Sequence, residues 1–144
     1  MTTAVSRIEE HAAPSQEGRR TIAQIVSDLS KPIAARHIST RKVGGSTINF
    51  ISWSVAAQYL DFFAPGWSWE IVSIVTIGGS TVIHGALTIT ASDGVVTRHA
   101  TGIEDTDNKG YGDPVSNASA MAFKRAAAMF GLGRSLYNKS TEAT

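Results

Sequence analysis

Hydrophobic residues recur with a helical period near the start of the chain. From residue 22 they fall at i, i+3, i+4 and i+7, which predicts a helix with one apolar stripe: Ile22, Ile25, Val26 and Leu29. Thr21 and Gln24 have the spacing of a capping box, and Pro32 stops the helix. A second helix is predicted over residues 53–63, before Pro65-Gly66. Its apolar side consists of Val55, Ala56, Tyr59, Leu60 and Phe63.

The hydrophobic period then changes to two, which is typical of strands. Three alternating runs, residues 67–77, 81–91 and 95–104, are joined by Gly78-Gly79 and Asp93-Gly94, pairs that tight hairpin turns accept. A shorter strand is predicted over residues 47–51, after the Gly44-Gly45 turn. An acidic, glycine-rich loop over residues 104–114 leads to a last helix over 115–130, which Gly131 and Gly133 end.

These elements predict an α+β fold. An antiparallel sheet of three to four strands has the C-terminal helix packed across it and two N-terminal helices beside it, with a β-β-β-α core. We expect one domain over residues 21–138. Residues 1–20 lack periodicity and are predicted to be a disordered tail, and residues 139–144 form a C-terminal tail.

The last helix carries two adjacent cations, Lys124 and Arg125, in a run of alanines without an acidic residue. A helical wheel places Lys124 opposite the side that packs on the sheet and Arg125 on a flank. The packed side is predicted to hold Val115, Ala118, Ala122, Ala126 and Met129, with Phe123 and Phe130 beside them. The outer surface is predicted to hold Asn117, Met121 and Ala128. Small side chains let a ligand approach closely, so the pattern favours a helix that contacts phosphates. The alternative is that the alanines pack on another helix or subunit and the cations are surface residues.

Charge and composition narrow the class of protein. The net charge is only +1, but two long segments, between Asp28 and Asp61 and between Asp113 and Glu142, contain cations and no acid. If they meet in space they suit an anionic polymer; otherwise each is a solvated face. The 144 residues include no cysteine and no apolar run at the N-terminus, so we expect a cytoplasmic, nucleoid-associated protein without disulfides or a membrane anchor.

Four segments in order resemble the Rad52 family of single-strand annealing proteins, in its phage and bacterial branch. They are ISTRKVGGSTINFI (38–51), VAAQYLDFFAPGW (55–67), SDGVVTRHATG (92–102) and AFKRAAAMFGLG (122–133). The resemblance covers residues 21–138 and implies protomers that close into a ring. It further implies single-stranded DNA in a basic groove and annealing of complementary strands without ATP, cofactor or catalysis.

The resemblance also implies site residues. Lys124 and Arg125 match the family's pair that binds the DNA backbone. Three further basic positions of the family fall here on Ala128, Ser92 and the Trp53-Ser54 region. The residues expected to supply supporting cations instead are Arg36, Arg41, Lys42, Arg98 and Arg134.

The aromatic, histidine and acidic residues give weaker indications of a binding site than the basic residues do. Trp53 begins a helix beside the basic segment and is a candidate for base stacking, whereas Trp67 and Trp69 are expected in the core. His84 and His99 are expected on opposite faces of the sheet, so no metal site is predicted. A solvated loop, or a contact with a neighbouring subunit, is favoured for the carboxylates Glu104, Asp105, Asp107 and Asp113.

The sequence thus predicts a non-enzymatic protein that binds and anneals single-stranded DNA in homologous recombination and double-strand break repair. Its expected partners are single-stranded DNA and further copies of itself, with a single-strand-binding protein or a recombinase as additional candidates. Three alternatives remain open at this point: a DNA-end protector or a recombination mediator of another family, a metal-dependent nuclease that uses the acidic loop, and a structural oligomer whose cations bind a protein.

Overall fold

The structure, a computed structural model, describes residues 19–106 and 113–137. In chain order its elements are helix α1 (Ile22–Leu29), a short 3-10 helix (Ala35–His37), strands β1 (Ser39–Val43) and β2 (Ser46–Phe50), and helix α2 (Trp53–Phe63). Strands β3 (Ser68–Ile77), β4 (Ser80–Ala91) and β5 (Gly94–Asp105) and helix α3 (Pro114–Met129) follow. The predicted tails, apart from residues 19 and 20, and Asp107 of the acidic loop lie outside the described residues.

The three long strands form an antiparallel sheet in the order β3-β4-β5, as the alternating runs predict. The face that carries Ile83, Leu87 and Ile89 of β4 is buried, and α3 covers it. The α+β prediction is therefore confirmed. The predicted short strand lies in a separate two-stranded sheet, where β2 pairs antiparallel with β1 across the Gly44-Gly45 turn.

Helices α1 and α2 pack on the same core through the apolar sides that periodicity predicts. Ile25 and Leu29 of α1 and Ala56 and Leu60 of α2 are buried. The Thr21–Gln24 capping box forms, because each side chain bonds the backbone N–H of the other residue. Helix α1 is also tied to the sheet, since Asp93 in the turn between β4 and β5 accepts a hydrogen bond from the Ile22 N–H.

Helix α3 approaches the sheet very closely. Gly102 of β5 faces the backbone of Ala118 and Ala122, and a Cβ at residue 102 would collide with the carbonyl oxygen of Ala118. The buried side of α3 consists of Ala118, Ala122, Phe123, Ala126 and Ala127. Val115 and Met129 are exposed, so their predicted place on the packed side is wrong. Both residues lie at the ends of α3, Val115 in its first turn and Met129 in its last turn.

The outer surface of α3 also differs from the prediction. Asn117, Met121 and Ala128 are partly buried rather than open. Met121 bends toward β5, where its Sδ accepts a hydrogen bond from the Ile103 N–H at 3.4 Å. The open surface of uncharged side chains around the two cations is therefore smaller than the helical wheel predicts.

Candidate nucleic-acid interface

Lys124 extends from α3 toward the β1–β2 hairpin. Its Nζ lies 5.3 Å from the centre of the Phe50 ring, and the Arg41 Cζ lies 5.7 Å from the same centre. Arg41 is within reach because it pairs with Ile48, which places Phe50 diagonally across the hairpin on the same face. Both distances fit cation–π contacts. The structure thus joins the two basic segments through one aromatic ring.

The surroundings of Lys124 oppose its charge. Burial lowers the pKa of Lys124, and the positive charge of Arg41 lowers it further. Among the described residues the ion pairs join Asp28 to Arg20 and Lys31, and none involves Lys124, Arg41 or Arg125. Two cations without a described counter-ion share one ring, so an incoming anion relieves their mutual repulsion.

Arg125 points to a different surface from Lys124. Its side chain is exposed and reaches the edge of the sheet, where Nη1 donates a hydrogen bond to the Thr101 carbonyl at 3.0 Å. This contact uses one of the five guanidinium N–H donors and leaves the others for a ligand. The two adjacent cations therefore lie on two sides of α3, about 100° apart around the helix axis.

Tyr137 connects these two surfaces at the C-terminal end of α3. It lines one pocket with Lys124 and Phe50, and a second with Arg125 and Arg134. Burial raises the pKa of Tyr137, and the nearby Arg125 charge acts in the opposite direction. The Arg134 guanidinium donates hydrogen bonds to the carbonyls of Ala128 and Met129, each at 3.0 Å, and so caps the C-terminal end of α3. Arg134 is nevertheless exposed to solvent.

The other predicted cations are spread around this region. Arg98 lies on the α3 side of β5, with its Cζ 5.7 Å from the centre of the Phe130 ring. Lys42 is exposed on the hairpin face opposite to Arg41, since side chains alternate along β1. Arg36 is exposed in the 3-10 helix. Their roles in binding DNA stay predictions.

Trp53 lies apart from Lys124, at the start of α2. It is 59% exposed and borders a groove of about 490 Å³ with Trp67, Trp69 and Phe123. Trp67 and Trp69 contact the Phe123 ring at 5.5 and 5.3 Å between centres, which confirms their predicted place against the core. Stacking of a base on Trp53 stays a prediction.

The histidine prediction is wrong. His84 and His99 lie on the same, outer face of the sheet, and His84 Nε2 is 2.7 Å from His99 Nδ1. The register explains this, because Ala86 rather than His84 lies opposite His99, which makes the two histidines diagonal neighbours. A two-residue turn between β4 and β5 places even-numbered residues of β4 and odd-numbered residues of β5 on one face, so the predicted hairpin already implies a shared face for the two histidines.

Two of the described carboxylates in the acidic segment have structural partners. Asp113 is the N-cap of α3 and accepts from the backbone and side chain of Ser116, and these hydrogen bonds lower its pKa. Asp105 accepts a hydrogen bond from the Ser80 hydroxyl. Within the described ranges, no three histidine or acidic side chains are grouped to hold a metal ion.

The arrangement matches a known family. A model of the Rad52/22 family of double-strand break repair proteins matches residues 21–144. The chain belongs to this family. The matched residues include both basic segments. They therefore include helix α3 and the β1–β2 hairpin that carries Arg41 and Phe50. The resemblance of the four sequence segments is thereby confirmed, and the alternative of another recombination family is excluded.

Two plant proteins are similar over most of the chain. The chain is 36% identical over 132 residues to the mitochondrial DNA repair RAD52-like protein 1 of Arabidopsis thaliana, covering 90% of this chain and 75% of that protein. It is 36% identical over 124 residues to the chloroplastic RAD52-like protein 2, covering 83% of this chain and 62% of that protein. Neither tests the phage and bacterial branch, which stays a prediction.

Sequence reasoning missed Phe50, the ring that joins Lys124 to Arg41. Its signal is weak but present: Phe50 is an aromatic residue in a strand that directly follows the basic segment. Interleaved cations and aromatic rings are typical of surfaces that bind single-stranded nucleic acids. The structure adds a half-buried position within reach of both cations.

Proposed function

We propose that this member of the Rad52/22 family binds single-stranded DNA and anneals complementary strands in double-strand break repair, without ATP and as a homo-oligomeric ring. The observation that supports this most is the grouping of Lys124 and Arg41 over one ring without a described counter-ion. Such a surface suits a flexible chain of phosphates, because each phosphate contact releases a condensed counter-ion and relieves local repulsion.

The annealing step follows from charge neutralisation. Phosphates that contact Lys124, Arg125 and Arg41 direct the bases away from the protein, where a second strand can sample them. Two bare strands repel each other through their phosphates, so a protein that neutralises one strand lowers the barrier to pairing. This step forms and breaks no covalent bond and needs no nucleotide hydrolysis.

The ring is supported by exposed apolar residues at one end of the sheet. Ile74, Val75 and Ile77 of β3 and Ile103 of β5 are between 45% and 64% exposed. Strand β3 is also an edge strand, and an edge pairs readily with another chain. Repetition of a weak site around a ring multiplies the affinity for one long strand.

Localisation and partner proteins belong to the proposal as well. We place the protein with the nucleoid in the cytoplasm, in contact with single-stranded DNA and with a single-strand-binding protein or a recombinase. Among the described residues, no helix is long and apolar enough to cross a membrane.

The binding surface is tested by changing Lys124 and Arg125 together to Ala. We expect weaker binding of a single-stranded oligonucleotide and a log–log salt slope that is shallower by about 0.7 for each phosphate that the variant no longer neutralises. Lys31→Ala is the matched control, since Lys31 is exposed and paired with Asp28. A salt slope that is the same in the double variant and the wild type removes the pair from the site.

Annealing is tested with two complementary oligonucleotides, one with a fluorophore and one with a quencher, in buffer without nucleotide. We expect faster quenching with the wild-type protein than without it, and a smaller acceleration with the double variant. An absolute requirement for ATP would contradict the mechanism. Shortened strands after incubation with Mg²⁺ would instead support the nuclease alternative.

A further inference from the structure

A pair of histidines lies on the open face of the sheet, separate from the surface that Lys124 and Arg41 form around Phe50. His84 Nε2 and His99 Nδ1 are 2.7 Å apart, and the two ring centres are 4.9 Å apart at an interplanar angle of 51°. A nitrogen–nitrogen contact this short requires one N–H donor and one lone pair. The pair is therefore held together by a single shared proton, and the remaining ring nitrogens, His84 Nδ1 and His99 Nε2, are not part of that bond.

Arg125 borders the same depression. A pocket of about 430 Å³ is lined by both imidazoles, Ala100, Thr101, Arg125 and Met129. Arg125 is held in place by its hydrogen bond to the Thr101 carbonyl, which leaves most of its guanidinium donors directed to solvent or to a ligand. A fixed guanidinium and a pair of imidazoles in one depression form a set of donors suited to a phosphate.

The charged groups around the pair are few. From α3 the group that faces it is Arg125. From β3, Ser73 lies opposite His84, and Glu70 lies opposite Ala86 in the same row as His99. Two strand spacings of about 4.8 Å separate the Glu70 and His99 backbones. Among the described residues no ion pair joins Glu70 to either histidine, and Arg125 is the Lys, Arg, Asp or Glu residue that lines the pocket with them.

Protonation changes what this pocket can bind. One added proton leaves a charged ring that donates to its neutral partner, and such a charge-assisted hydrogen bond is stronger than the neutral one. The pocket then carries two positive charges, one on the pair and one on Arg125. A phosphate between them relieves their repulsion, so binding of an anion and uptake of the proton favour each other.

We propose that His84, His99 and Arg125 form a binding site for a backbone phosphate of single-stranded DNA, which is filled when the histidine pair carries an added proton. This inference rests on the proposed function and names a further phosphate contact and its regulation by pH. It extends the binding surface from Lys124 around α3 to the outer face of the sheet, with Arg125 between the two.

The test measures the salt dependence of binding to an oligothymidine strand by fluorescence anisotropy at pH 8 and at pH 6. The wild type should show a log–log salt slope that is steeper by about 0.7 at pH 6, which corresponds to one added phosphate contact. The variant His84→Gln/His99→Gln should lose this increment whatever its affinity at pH 8. His37→Gln is the control, because His37 bonds Tyr59 elsewhere in the fold, and it should keep the increment.

The outcomes separate this inference from the proposed function. No binding of the strand at pH 8 by the wild type contradicts the proposed function itself. Binding at pH 8 with an equal slope at pH 6 overturns the histidine site and leaves the proposed function standing. An increment that survives in His84→Gln/His99→Gln, or that disappears in His37→Gln, overturns the histidine site equally.

Discussion

Lys124 is held in a position that an isolated lysine would avoid. It is half-buried against Phe50, beside a second cation, and both burial and the Arg41 charge lower its pKa. A buried charge without a partner is unfavourable, and a protein tolerates it where binding supplies the missing partner. The lowered pKa therefore fits the phosphate contact that we propose for Lys124.

The pKa of Lys124 predicts how binding depends on pH. Because this pKa lies below the ordinary 10.5, Lys124 loses its charge at a lower pH than an exposed lysine does. DNA affinity should fall as pH rises through the window between that lowered pKa and 10.5. Lys124→Arg is the matched variant, since an arginine stays charged throughout. Its affinity should fall less over the same window.

The measurement uses an oligoadenosine strand, because thymine and guanine bases lose protons in the same alkaline range. Equal pH profiles for the wild type and Lys124→Arg would show that the Lys124 charge does not contact DNA. Stability should change in the opposite direction to affinity: the unfolded chain binds more protons than the folded chain in this window, so the Lys124 contribution to the free energy of unfolding rises with pH.

At this scale the sequence predicts single residues better than their contacts. Lys124 and Arg125 are visible as an unpaired doublet in an alanine run. Their separate surroundings are not visible, because the Phe50 contact depends on how the hairpin lies over α3, and the His84–His99 contact depends on the register of β4 and β5. The first is set by long-range packing, which a local pattern does not encode, whereas the second follows from the tight turn that joins β4 to β5.

At the scale of elements, the position of α3 depends on small residues at its contact with β5. Gly102 lies against the backbone of Ala118 and Ala122, which brings the helix axis close to the sheet. This close approach sets the place of Lys124 relative to the hairpin and of Arg125 relative to Thr101. The proposed binding surface thus depends on Gly102, which lies inside the contact between α3 and β5.

Gly102→Ala should destabilise the fold, because the new methyl group collides with the Ala118 carbonyl oxygen, a backbone atom that yields only if the helix moves. We expect a decrease of about 1–3 kcal/mol in the free energy of unfolding. Gly79→Ala is the matched control: a Cβ there meets nothing within 4 Å and the backbone needs no positive φ. Thermal unfolding at one fixed protein concentration measures both variants, and equal midpoints would contradict the close contact.

Hydrophobic periodicity predicts most of the helices and strands, but it misses β1 and does not predict the burial of every residue. The helices and the three long strands follow from period and turn residues. Strand β1 is hidden, because all five of its residues are exposed and its sequence has no alternation to detect. Val115 shows a second limit: a helical wheel gives the direction of a side chain but not whether the sheet extends far enough to cover it.

At the scale of the whole molecule, the two faces of the three-stranded sheet differ in what covers them. Helix α3 covers one face of the sheet, while the outer face carries a row of apolar residues, Val75, Val82 and Ile103, that are direct partners across three strands. Ile77 extends this row toward the β3–β4 turn and is 64% exposed. An exposed apolar patch at the end of a sheet is typical of a surface that another protein chain covers.

The double variant Ile77→Asn/Ile103→Asn should weaken assembly without altering charge, which keeps the effect on DNA phosphates small. We expect a lower mass by light scattering. Affinity for a strand long enough to cross several protomers should fall by about 10²-fold or more, while affinity for a strand that fits one protomer stays nearly constant. Val95→Asn is the control: Val95 is 62% exposed at the opposite end of the sheet, so this substitution should leave both the mass and the long-strand affinity unchanged.

If the double variant keeps its mass, the apolar patch is not the contact between copies. If the mass falls but long-strand affinity holds, the proposal that assembly supplies affinity by repetition is wrong.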